Sequence, residues 1–104
     1  MIYLSIAKHF TESPGGRYEK EGRFSGENFR DNQLIPKYLE AKNADVILQI
    51  DLDGTYGYAT SFLDEAFGGL AEAFGKKDVL ERLDFISYDQ PGLVDQIRKY
   101  IEKR

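Results

Sequence analysis

The chain has no cysteine and a single histidine, His9. The first absence excludes disulfides and thiolate metal sites, and the second excludes a histidine cluster. No apolar run approaches the roughly 20 residues that cross a bilayer. The opening MIYLSIAKHF also lacks the basic start and small-residue cleavage site of a signal peptide. A cytoplasmic protein without membrane association is therefore expected. Basic charge is in short supply: 14 Lys and Arg face 18 Asp and Glu, and the net charge of −4 argues against nucleic acid as the main partner. There is no internal repeat, low-complexity tract or linker. At 104 residues the chain suffices for one core without cross-links but not for a second domain, so residues 1–104 are expected to form a single domain.

What the sequence does have is concentrated between Val46 and Gly75. Val46, Ile47, Leu48, Ile50 and Leu52 form a short, nearly continuous apolar run, which predicts a strand covered on both faces as in the middle of a parallel sheet. After a glycine- and tyrosine-rich turn the period changes. Leu63, Phe67, Leu70 and Phe74 recur at helical spacing, predicting a helix that opens at Thr60-Ser61 with Asp64 and Glu65 near its positive end. Upstream, Ile2 to Ala7 reads as a first strand. Ser13-Pro14-Gly15-Gly16 reads as a turn, and Arg17 to Lys20 as the returning arm of an antiparallel hairpin. Ser25 is a good N-cap for the helix that follows, and Pro36 predicts a break or kink near Ile35. Downstream, Asp78 is expected to cap a short helix Val79 to Arg82. Asp84 to Tyr88 reads as the last strand, and Pro91-Gly92 opens a final helix with the stripe Leu93, Ile97, Tyr100, Ile101. The order hairpin, helix, strand, helix, strand, helix predicts an α/β fold in which a mixed sheet, an N-terminal hairpin plus parallel strands, is flanked by helices.

Four groups of residues carry candidate chemistry. Asp51-Leu52-Asp53-Gly54-Thr55 after an apolar strand resembles the first motif of the haloacid-dehalogenase phosphatases. That resemblance implies Asp51 as nucleophile, Asp53 as general acid/base and Mg²⁺ held between them, with Ser87 and Lys76 or Lys77 in supporting roles. Two carboxylates beyond a strand end suit a hard, oxygen-liganded cation, although Asp-Gly is equally a turn signal. Thr60 and Ser61 stand at a helix start. Ser61 with Asp64 three residues on suits an N-cap, and the same position suits a phosphoacceptor, because free backbone N–H groups and the helix dipole favour a phosphate there. Gly68-Gly69 costs about 0.5–1 kcal/mol per glycine within a helix, which calls for close packing on the sheet or a side-chain-free surface for a partner. Gly15, Gly16 and Arg17 offer a nest for a nucleotide or another anion, or a plain turn.

Taken together, Gly15-Gly16-Arg17-Tyr18, Glu21-Gly22-Arg23-Phe24-Ser25-Gly26, Asp51-Leu52-Asp53-Gly54 and Ser61-Phe62-Leu63-Asp64-Glu65-Ala66-Phe67-Gly68 resemble a bacterial family of small STAS-like domains of unknown function. The resemblance spans nearly the whole chain. It implies kinship with the STAS domains of anti-sigma-factor antagonists, which carry Asp-Leu, several residues, then Asp-Ser-Ser-Gly at a helix start. Laying Asp51-Leu52 on that Asp-Leu places Thr60-Ser61 on the Ser-Ser, so that Ser61 matches the phosphorylated position. Ala59 stands where the antagonists have Asp, and Phe62 where they have Gly. The resemblance implies a non-enzymatic signalling module without a cofactor that binds a protein, an ATPase or kinase of the anti-sigma type. The expected contact residues are Gly54, Tyr56, Tyr58, Asp64, Glu65, Gly68, Gly69 and Glu72.

Overall fold

Three short parallel strands, β1 (Ile2–Ser5), β2 (Leu48–Asp51) and β3 (Leu83–Ile86), lie side by side in chain order in a computed structural model that describes all residues, 1–104. Ile2, Leu48 and Leu83 are neighbours across the sheet, as are Ser5, Asp51 and Ile86. A right-handed crossover from each strand to the next in this order carries every connecting helix to the same side. Burial follows that rule. Leu48 and Ile50 are fully buried while Gln49 and Asp51, which alternate with them, are not, and the row Tyr3, Gln49, Asp84 is left partly or fully to solvent. The expectation of a strand covered on both faces is therefore corrected: β2 alternates, because all the helices it could be covered by are on one side.

The expected N-terminal hairpin is also absent, so the sheet is not mixed. β1 runs directly into a single helical turn, α1 (Ile6–His9), which Ser5 caps by accepting a hydrogen bond from the Lys8 N–H at 3.1 Å. Arg17 to Lys20 pairs with no strand. Instead the loop closes on itself, with Gly15 N–H donating to Phe24 O, Gly26 N–H to Gly16 O and Glu27 N–H to Arg17 O at 2.8, 2.9 and 3.0 Å. Its tip holds a 3₁₀ turn, Glu19–Glu21. The turn residues were legible. The chain returns to the start of α2, and the Arg17 side chain reaches Asp64 and Glu65 on the central helix.

Ser25 is buried and caps α2 (Gly26–Phe29) through the Asn28 N–H at 3.0 Å. A π-helical turn (Arg30–Leu34) then leads into α3 (Ile35–Ala44) without interruption. Pro36 sits in the first turn of α3, and the wide turn just before it takes the place of the expected break by accommodating the missing N–H. The central helix has the same construction: α4 (Thr60–Leu63), a π-helical turn (Asp64–Gly68) and α5 (Gly69–Phe74). It starts and stops where its periodicity predicted. Next, α6 (Lys76–Arg82) begins at Gly75, φ 97°, rather than at Asp78. Asp78 lies inside it and accepts a hydrogen bond from the Tyr38 hydroxyl. The last helix, α7 (Gly92–Glu102), buries Ile97 and Ile101.

Aromatic rings hold this layer together. Phe10 meets Phe24 and Phe29 edge-on or tilted at 5.5 and 5.3 Å between centroids, Phe29 stacks on Phe62 at 5.8 Å, and Phe67 meets Phe85 of β3 at 5.6 Å. Such pairs add about 0.5–1.5 kcal/mol each beyond their burial. Gly26 makes the closest crossing: a Cβ there would lie 2.4 Å from the Phe62 carbonyl oxygen, so α2 and α4 meet backbone to backbone. No helix is long and apolar enough to cross a membrane.

Candidate functional site

The C-terminal ends of the parallel strands feed two loops, Leu52 to Ala59 after β2 and Ser87 to Pro91 after β3, the usual location of function in α/β sheets. They clasp each other. The Asp53 carboxylate accepts the N–H groups of Tyr88 and Asp89 at 3.1 and 3.0 Å, and the Asp89 carboxylate accepts the Gly54 N–H at 3.2 Å. Gly54 and Gly57 hold φ of 92° and 127°, where side chains are strained, and allow the tight path between them. Tyr58 folds inward, packs on Phe62 at 5.9 Å and donates its hydroxyl to Leu52 O at 2.7 Å. Burial, reinforced by the nearby Asp51, Asp53 and Asp89 carboxylates, pushes its pKa up to about 12. Between the loops lies a cleft of about 300 Å³, beside which Tyr56 and Tyr88 stand 86% and 85% exposed.

Asp51 faces the other way. One carboxylate oxygen accepts the Asp53 N–H at 3.0 Å and the other accepts the Tyr3 hydroxyl, whose pKa that hydrogen bond raises. All four oxygens of Asp51 and Asp53 are thus engaged by protein donors, and no group of three or more His, Asp or Glu side chains converges on a common point. His9 accepts the Ser5 N–H on Nδ1 at 2.9 Å and sets its ring against the edge of Tyr3.

At the start of α4 the cap position belongs to Ala59, and no side chain caps the helix. Ser61, expected as the N-cap, is the second residue of the helix and half-buried, while Thr60 is exposed. The Ala59 carbonyl accepts the Phe62 and Leu63 N–H groups at 3.1 and 3.3 Å, and the Thr60 and Ser61 N–H groups have no partner within the chain.

One turn further on, the surface is closed by arginines. Arg17 Nη1 bridges Asp64 and Glu65 at 2.9 and 3.2 Å, Arg30 Nη1 reaches Glu65 at 2.5 Å, and Arg104 reaches Asp64 at 3.4 Å and Glu72 at 2.7 Å. The Asp64 hydrogen bond foremost raises the Arg17 pKa above the ordinary arginine value. Burial pulls that of Arg30 down, but its bonds to Glu65 and Asp31 outweigh this and leave it raised. A Cβ on Gly68 would lie 2.8 Å from Arg104 Nε, and one on Gly69 2.6 Å from Arg30 Nη1. The glycine pair thus makes room for two guanidinium groups, and the expected side-chain-free face of Asp64, Glu65, Gly68 and Gly69 is covered from within. Glu72 stays exposed, as do Gly54 and Tyr56. Gly15 and Gly16 have no positive φ, which an anion nest of alternating hand requires, and Arg17 is occupied by carboxylates.

Sequence reasoning did not find Arg30, Arg104, Tyr88 or Asp89. Asp89, just before Gln90-Pro91-Gly92, had a turn signal that could have flagged it; the two arginines had none, since their partners are distant in sequence.

A parallel three-stranded sheet with its helices on one side, and a helix opening without a side-chain cap beside a clasped pair of loops, define an α/β domain. The chain belongs to the family of STAS-like domains of unknown function, whose model matches residues 25–93, from the cap of α2 into the first turn of α7. No curated protein and no solved structure gave a significant match.

Proposed function

We propose that this domain is a non-enzymatic regulatory module that binds a partner protein, an ATPase or kinase of the anti-sigma type, through the loop Gly54 to Thr60 and the start of the central helix, with Ser61 as the gate. The observation that carries the reading is the uncapped helix opening: Thr60 and Ser61 sit in the first turn, neither hydroxyl serves as a cap, and exposed Tyr56 stands on the adjoining loop. A phosphate on Ser61 would meet free N–H groups there and the carboxylates of Asp64 and Glu65 one turn on, so its charge would alter how the surface docks. Tyr56, Tyr88, Gly54 and Glu72 form the reachable part of the contact surface, whereas Asp64, Glu65, Gly68 and Gly69 support it from below.

The test is affinity capture from the source cell with wild type, Ser61→Ala and Ser61→Asp, together with mass spectrometry of the protein itself for phosphate at Ser61. An ATPase or kinase retained by wild type and Ser61→Ala, lost with Ser61→Asp and binding the purified domain directly, is the expected result. Capture of nothing specific by any of the three overturns the reading.

A further inference from the structure

We propose that the cleft between the β2 and β3 loops is a receptor for a single arginine side chain presented by a partner protein, held by Tyr56 and Asp89. The inference rests on the reading above only in placing a protein contact at the loop that starts at Gly54. It asks nothing of Ser61 and states which chemistry the contact recognises.

The cleft lies beyond the carboxyl ends of parallel strands, where α/β sheets bind ligands. Its volume of about 300 Å³ is at the lower end of small-molecule sites. That size suits one side chain better than a nucleotide or an organic cofactor. Leu52, Tyr56, Tyr58 and Leu93 supply its apolar surface, and Asp53 and Asp89 supply its charge.

Charge selects the guest. Residues 51–63 and 83–97, which contain both loops, hold five carboxylates and no Lys or Arg. Beyond burial, the Asp51, Asp53 and Asp89 carboxylates raise the pKa of Tyr58, so their field reaches a group on the cleft surface. Of the two acids that line the cleft, Asp53 is occupied, since its oxygens accept the N–H groups of Tyr88 and Asp89. Asp89 gives Oδ2 to the Gly54 N–H at 3.2 Å, while its Oδ1 accepts no donor of the chain. The free oxygen is therefore on Asp89, held in place by the bond that its partner oxygen makes.

The aromatic surface selects arginine among cations. The main chain of Tyr56 is pinned by its N–H to Glu12 O at 2.9 Å, yet its ring stands 86% exposed. Tyr58 is the reverse, its ring packed on Phe62 and its hydroxyl bonded to Leu52 O. A free ring on a fixed backbone is a platform with little left to order when a guest arrives. A guanidinium is planar and weakly hydrated, so it can stack on that ring while its N–H groups reach a carboxylate. A lysine ammonium brings the charge without the plane.

The experiment titrates the ¹⁵N-labelled chain with an end-blocked peptide, Gly-Ser-Arg-Ser-Gly, and with twins carrying lysine or citrulline, the neutral isostere of arginine. Amide shifts are followed by NMR in wild type, Tyr56→Ala, Asp89→Asn and Ser61→Ala. Tyr56 and Asp89 are both exposed, and Asn keeps an oxygen for the Gly54 N–H, so the variants are expected to fold, which unchanged spectra away from the loops check. With the arginine peptide, saturating shifts centred on residues 53–58 and 87–90 are expected at about millimolar concentration. Citrulline is expected to bind about tenfold more weakly, with lysine between. Tyr56→Ala is expected to weaken the arginine peptide about threefold. Asp89→Asn weakens the arginine peptide but not the citrulline one, and Ser61→Ala changes neither.

Absence of a saturating shift, equal affinity for arginine and citrulline, or shifts scattered over the remaining acids overturns the inference. So does Mg²⁺ binding at the same amides more tightly than the peptide, which would make the cleft a metal site. The peptide replaces the partner, so the outcome is separate from affinity capture. A captured protein beside an unresponsive cleft overturns this inference alone; a responsive cleft with nothing captured overturns the reading above and leaves an arginine receptor.

Discussion

At residues 64–69 the central helix is fixed by three arginines and bare of side chains at two glycines, whereas one turn earlier Thr60 and Ser61 open the same helix without a cap. Both regions carry polar residues of a kind that suggests function, and they differ in what the rest of the chain does with them. In the middle, carboxylates and glycines are complementary to Arg17, Arg30 and Arg104, so their chemistry is consumed internally. At the start, nothing in the chain uses the hydroxyls to complete the helix. Polar residues with internal partners report on folding; polar residues left out of the folding are the ones available to another molecule.

Substitutions sharpen this contrast, and the largest effect is expected behind the helix start. Gly26→Ala places a methyl group 2.4 Å from the Phe62 carbonyl, backbone against backbone with no side chain able to yield. Stability is expected to fall by about 3 kcal/mol, read from the urea midpoint; a loss below about 1 kcal/mol would mean that α2 and α4 slide apart easily. Gly69→Ala, by contrast, meets only the end of the Arg30 side chain. Next is Glu65→Ala, which removes the partner shared by Arg17 and Arg30. It is expected to cost about 1.5–3 kcal/mol, since it breaks charged hydrogen bonds at a largely buried site. A change within about 0.5 kcal/mol would show that the arginine cover behaves as an ordinary surface ion pair.

Tyr58 tests the loop end by pH. Its pKa is raised to about 12 from 10, so below pH 10 it is neutral in both folded and unfolded chains and its contribution is fully present. Between those values the unfolded chain loses the proton first, and stability drains away as pH rises. Wild type is expected to lose more stability than Tyr58→Phe between pH 10 and 12, with the last phenolate absorbance step missing in the variant. A Tyr58 that titrates with the exposed tyrosines would place its ring outside the loop.

The smallest effects belong to the helix start itself. Ser61→Ala and Thr60→Ala are each expected to change stability by less than about 0.5 kcal/mol, because neither hydroxyl caps the helix. Ala59→Asp is expected to add about 1 kcal/mol by supplying the missing cap. Thermal and urea melts of the three variants side by side would expose a hidden structural role if Ser61→Ala fell by the amount that Ala59→Asp gained.

Much of the fold was legible because the signals are local. The 3.6-residue period of Leu63, Phe67 and Leu70 and the turn residues around Gly54 state their own structure within a few positions. The hairpin misreading shows the limit. Gly15-Gly16 does mark a change of direction, but a turn does not name the segment the chain returns to, and here that is the start of α2. The same limit applies to the site: Thr60-Ser61 was found because a helix start is local, while the cover over Gly68 and Gly69 was not.

By itself, then, the sequence determined the order of strands and helices from the central strand onward, the apolar stripe of the central helix and the residue at which that helix begins, since each depends on neighbours a turn or a pleat apart. Only the tertiary structure decided that one sheet face is open, that Gly26 must pass Phe62, and which of the acids are spent on arginines. The contacts of Arg17, Arg30 and Arg104 with the central helix join residues 32 to 48 positions apart. No periodicity encodes a pairing of that range, because it exists only once the helices have packed and desolvation has made each buried charge depend on the partner that the fold brings to it.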